Sequence, residues 1–124
     1  MSELSRQIEN KRAEAECVCQ RLQHEIDKLG FAPDTLIHKP RFEEAHFELV
    51  KDPYTGTENL LCFWLDARGI QRQGRLQFNS DDSFYAEYDV IQPHPSRPQW
   101  FVEGVSAWGT ADNMKAEAKL LPQP

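Results

Sequence analysis

Positive charge is in short supply in this chain. Against 20 Asp and Glu stand 14 Lys and Arg, a formal net charge of −6 with histidine neutral. Such a surface offers little to neutralise phosphates, so neither a nucleic acid nor an anionic membrane is expected as a partner. Cysteine is scarce as well. Three cysteines, an odd number without framework spacing, point to free thiols in a reducing compartment rather than to a disulfide scaffold. Cys17 and Cys19 would lie roughly 200° apart on a helix and could not grip one metal ion. The histidines, His24, His38, His46 and His94, lack the spacing of a zinc site. The 6 glycines are scattered singly, which excludes a phosphate-cradling loop.

Other absences narrow the field further. No apolar run approaches the roughly 18 residues that span a bilayer. Glu3, Arg6, Glu9, Lys11 and Arg12 interrupt any secretory apolar region, so a cytoplasmic protein is expected. There is no G-x-S-x-G elbow and no ordered Ser, His and Asp set. Asn79-Ser80-Asp81-Asp82 is acidic, but it lacks the glycine and distal glutamate of a calcium loop and reads as a hairpin turn. No metal or cofactor is called for.

What is present is organised around Leu60-Leu61-Cys62-Phe63-Trp64-Leu65, an unbroken apolar run flanked by Pro53-Tyr54-Thr55-Gly56 and by Ala67-Arg68-Gly69. A strand buried on both faces reads as such a run, whereas a strand with one wet face alternates. The run is therefore expected to be a central strand covered on both sides. At 124 residues the chain is one domain, large enough for a single core.

Residues 1–30 hold no Pro or Gly before Gly30 and carry Ala15, Val18, Cys19, Leu22, Ile26 and Leu29 on one helical stripe. Lys11 and Glu25 break the heptad register that a coiled coil would need. Residues 43–51 alternate, with Ala45, Phe47 and Leu49 opposite Glu44, His46 and Glu48. Asp66 to Gly69 suits a short hairpin. Residues 70–78 alternate again, with Ile70, Leu76 and Phe78 opposite Gln71, Gln73, Arg75 and Gln77, and Phe84, Ala86, Tyr88 and Val90 oppose Tyr85, Glu87 and Asp89. Ser96, Pro98 and Gln99 resemble a helix start, and Trp100, Phe101, Val105 and Trp108 share a helical face that Gly109 would close. Met114, Ala116, Ala118 and Leu120 alternate. The expected fold is α+β: a long N-terminal helix over 1–30, a four-stranded antiparallel meander over 42–91, a second helix over 96–109 and a short strand over 114–121, with both helices on one sheet face.

The other face would then carry an apolar strip from the 60–65 strand rimmed by His46, Arg75, Tyr85, Glu87 and further carboxylates, the composition of a binding surface. The expected function is a small acidic cytoplasmic module that binds another protein, with itself as one candidate partner in a homodimer, and that carries no catalytic activity. Two alternatives come from other classes. One is a small-molecule-binding domain with Trp64, Tyr85, Trp100 and Trp108 lining a cavity. The other is a minor enzyme using His46, set between Glu44 and Glu48 where its pKa would rise, together with Tyr85 or Glu87.

Overall fold

The computed structural model of the protein describes residues 2–65, 73–79 and 81–123. Among the described residues one α-helix and one sheet account for the architecture. The helix, α1, runs Glu3–Lys28. Its start is fixed by Ser2, whose hydroxyl accepts the amide of Ser5 at 3.1 Å, satisfying one of the donors a helix leaves unpaired at its N-terminus. Its end is set by Gly30, which turns the chain out at φ +85°. A 3-10 turn at Phe42–Glu44 precedes six strands: β1 His46–Lys51, β2 Glu58–Leu65, β3 Gln73–Phe78, β4 Phe84–Pro93, β5 Trp100–Thr110 and β6 Asn113–Pro122. They form one antiparallel sheet in the order β1-β2-β3-β4-β5-β6, so every strand pairs with its neighbour in sequence.

The core lies between α1 and a single face of this sheet. Ala15, Val18, Cys19, Leu22 and Ile26 pack onto Leu60, Cys62 and Trp64 of β2, Leu76 and Phe78 of β3, Phe84, Ala86, Tyr88 and Val90 of β4, and Val102, Val105 and Ala107 of β5. Leu4 and Ile8 extend the stripe, half-buried. Lys11 and Arg12 interrupt it without breaking the contact: the ammonium of Lys11 sits 5.2 Å from the Phe78 ring centre and the guanidinium of Arg12 4.7 Å from that of Phe42, where their stems can cover apolar surface while the charges remain wet. In the middle of the core, Trp64 meets Tyr88 edge-on at 5.8 Å across Gly74, the residue that pairs with both. A Cβ on Gly74 would fall 2.4 Å from the Tyr88 ring, so only glycine fits there.

Several expectations fail, each for a physical reason. Residues 96–109 are not a helix, and the meander has six strands rather than four, because β5 joins the sheet and brings β6 with it. The four residues read as one helical face do not share one: Val105 is buried in the core, whereas Trp108 pairs with Tyr85 on the other side of the sheet. A bulge also disturbs the alternation of β5. Val102 pairs with Leu120 and Gly104 with Lys119, leaving Glu103 unmatched. The extra residue puts Val102 and Val105 on the same face at a spacing of three, which mimics a helix. The apparent cap is a tight turn held by His94, whose Nδ1 accepts the amides of Ser96 and Arg97 at 3.1 Å each. The expected strand over 114–121 is present as the central part of β6.

The run at 60–65 is not covered on both sides. Leu60, Cys62 and Trp64 are buried, whereas Leu61 and Phe63 are half-buried and Leu65 is 59% exposed. Nor is the strand central, since β2 is second from the edge. Glu44 also leaves its expected place: it belongs to the 3-10 turn and pairs with Arg41 at 3.5 Å and with His38 at 3.2 Å. The hairpin read at 66–69, together with Ile70 and Gln71 of the next alternation, lies outside the described residues.

Candidate functional site: the uncovered face of the sheet

Because side chains alternate along each strand, packing α1 onto one face leaves a second face built from the intervening residues. Antiparallel register sorts these into rows across the sheet. One row reads His46, Phe63, Arg75, Glu87, Ser106, Glu117; the next reads Glu48, Leu61, Gln77, Tyr85, Trp108, Lys115. Leu65, Gln73, Asp89, Gly104 and Lys119 extend the face on the other side of the first row, with the Gln73 amide donating to the Asp89 carboxylate at 3.0 Å.

The contacts on this face are polar and local. The His46 ring lies 5.6 Å from that of Phe63, and among the described residues His46 makes no hydrogen bond or ion pair. Arg75 donates to Gln77 at 2.7 Å. Lys119 reaches across β5 to donate to the Tyr85 hydroxyl and to the Glu87 carboxylate, each at 3.3 Å. Gly104 makes that reach possible, since it places no side chain between β6 and β4. The Tyr85 hydroxyl, followed by Glu87, holds the Lys119 ammonium above its usual pKa. Toward one end of β2 and β3 the face dips into a hollow of about 290 Å³, lined by Phe63, Leu65, Gln73, Arg75, Glu87 and Asp89 among others.

Of the residues singled out from sequence, His46, Arg75, Tyr85, Glu87 and Trp108 share this face, and Tyr85 pairs directly with Trp108. Trp64 does not. It belongs to the core side, where its Nε1 donates to the Arg41 carbonyl at 2.8 Å. Trp100 begins β5, eight residues from Trp108, which is roughly 26 Å along an extended chain. The proposed aromatic lining of Trp64, Tyr85, Trp100 and Trp108 is therefore not assembled. The expected trio of Glu44, His46 and Glu48 is not assembled either, with Glu44 held by His38 and Arg41. Lys115, Glu117 and Lys119 were not singled out. Their alternation with Met114, Ala116, Ala118 and Leu120 was visible, but their position beside Tyr85 and Glu87 depends on β5 being a strand.

Away from this face, Cys17 is exposed while Cys19 and Cys62 are buried. Burial pushes both buried thiols up to about 12, with Glu43 and Glu16 adding to the effect at Cys19 and Cys19 itself adding to it at Cys62. Such thiols are protonated and inert at neutral pH. The His38 Nδ1 contacts the Tyr88 hydroxyl, tying the connector after α1 to β4. Among the described residues no three His, Cys, Asp or Glu side chains stand close enough to hold a metal ion, and no helix is long and apolar enough to cross a membrane. No family model, curated protein or solved structure matches the chain.

Proposed function

We propose that this chain is a non-catalytic interaction module that binds another polypeptide through the uncovered face of its sheet. The observation that carries this reading is the strip of Leu61, Phe63 and Leu65, which runs along the second half of β2 with none of the described elements above it and ends in a leucine 59% exposed. To one side of the strip, on β3 to β6, lie Arg75, Glu87, Tyr85, Trp108 and Lys119, and to the other side, on β1, lie His46 and Glu48. An apolar centre with a charged and aromatic rim is the anatomy of a protein interface. Catalysis finds less support. His46 has no described partner to orient it, and a general base needs both an orienting group and a site for the reacting atom.

A second reading, a small-molecule site, draws on the hollow of about 290 Å³, whose lining includes Arg75 and the carboxylates of Glu87 and Asp89. That volume is at the small end of ligand pockets, and the hollow is wide open on one side.

The two readings separate when a photoreactive phenylalanine analogue replaces Phe63, with the same analogue at Tyr54, 95% exposed on a turn, as the control. The module reading expects polypeptide adducts from position 63, none from position 54, and their loss on adding Leu61→Glu. Absence of polypeptide adducts at 63, accompanied by a rise in unfolding midpoint with one member of a metabolite panel, would overturn it in favour of the pocket.

A further inference from the structure

We infer that the polypeptide seated on this face is a second copy of the same chain, related by a two-fold axis that runs parallel to the strands between β3 and β4. This rests on the interaction reading and gives it a partner. A two-fold interface must be complementary to itself, and the rows of the sheet show whether this face meets that condition. The axis lays β3 over the second copy's β4, β2 over its β5 and β1 over its β6.

Row by row, the result is consistent. Arg75 falls over the second copy's Glu87, and Glu48 over its Lys115. His46 falls over its Glu117. The apolar strip of β2 meets the outward residues of β5: Leu65 falls over Gly104, Phe63 over Ser106 and Leu61 over Trp108. Each charged residue in these two rows therefore meets the opposite charge or an imidazole. An axis running across the strands through the first row would instead lay Glu87 on Glu87, Glu117 on Glu117 and Lys115 on Lys119, which costs association. The assembly is a sandwich of two twisted sheets in aligned packing, with a copy of α1 on each outer side.

The pair Glu48 and Lys115 provides a clean test. They lie on opposite edges of the sheet, five strand spacings or roughly 24 Å apart within one chain, and neither has a described hydrogen bond or ion pair. They can meet only between copies. Wild-type protein is expected to show a concentration-dependent dimer by sedimentation velocity. Glu48→Lys alone and Lys115→Glu alone should each weaken association by about tenfold or more, since each places like charges together twice. An equimolar mixture of the two variants should restore it, because both new pairs in the mixed dimer are opposite in sign. Circular dichroism and urea midpoints of the separate variants establish that both remain folded.

A wild-type monomer at every concentration overturns the inference, as does a mixture no tighter than its components, or single variants that associate like wild type. The interaction reading fails separately. A monomer whose position 63 still yields polypeptide adducts keeps the module and loses the second copy, whereas a monomer with no adducts loses both.

Discussion

Leu60, Cys62 and Trp64 on one side of β2 and Leu61, Phe63 and Leu65 on the other are chemically alike, yet only the first set is buried. The difference is one of supply. A single helix 26 residues long can lie across one face of six strands, and nothing else in the described chain is left to cover the second. Apolar character thus qualifies a residue for burial, but the count of covering elements decides whether burial happens within the chain. On this protein the second side of β2 has the composition of an interior with the accessibility of a surface.

The sharpest way to break that comparison is to truncate one residue from each set. In dilute protein, Trp64→Ala should cost about 3–5 kcal/mol by urea unfolding, since it empties a filled core and strands the Arg41 carbonyl that Nε1 now satisfies. Phe63→Ala should cost no more than about 1 kcal/mol, the loss expected of a half-covered side chain. Equal losses would mean that both faces are interior.

Gly74→Ala probes the core side without removing anything. The added methyl meets the Tyr88 ring at 2.4 Å and the Trp64 ring at 3.1 Å, and overpacking of this kind costs about 1–3 kcal/mol. A variant as stable as wild type would show that the Trp64 and Tyr88 rings can part freely.

The buried thiols give a smaller effect that depends on pH. Cys19 and Cys62 ionise near 9.0 when unfolded and near 12 when folded. Their raised folded pKa makes a stabilising contribution that is fully present below pH 9 and is lost as pH rises from 9 to 12, because only the unfolded chain ionises at the start of that window. A Cys19→Ala, Cys62→Ala double variant should therefore lose less stability than wild type between pH 9 and pH 11. Iodoacetamide at pH 8 should label Cys17 in the native protein and reach the other two only on unfolding. Native labelling of Cys62 would contradict its place in the core.

The smallest effect belongs to the open face. Leu65→Lys in dilute protein should shift stability by no more than about 0.5 kcal/mol, while diminishing self-association. A larger loss would mean that Leu65 is covered within the monomer.

The parts of this fold that were legible from the sequence are those where periodicity runs undisturbed. Ala15, Val18, Leu22 and Ile26 keep helical spacing and are the helix's buried stripe. Phe84, Ala86, Tyr88 and Val90 alternate and are all in the core. Legibility ends at the bulges. Glu103 resets the alternation of β5, and Ile91, at φ 52°, marks the matching irregularity of β4 between Asp89 and Gln92. Gly104, inside the segment read as a helix, was a local signal against it, because glycine weakens a helix interior. Its Cβ would strike the Tyr88 carbonyl at 2.4 Å, the close approach that a strand explains. The face itself was half legible: His46, Arg75, Tyr85 and Glu87 were placed together by alternation alone, but the β6 lysines needed β5 in its true form. The apolar run at 60–65 misled for another reason. Six apolar residues look the same whether their second side is covered by the same chain or left for another.

The strictly sequential strand order also sets a timetable for synthesis. Each hairpin can zip as soon as its second strand leaves the ribosome, because its partner is always the strand just made. The helix has the opposite fate. It emerges before the sheet, yet its contacts extend to β4, β5 and β6, so the stripe of Val18, Leu22 and Ile26 is not fully covered until β6 has been made. An element made before every strand is the last to find its place, and until the sheet is complete it presents the kind of surface that chaperones recognise.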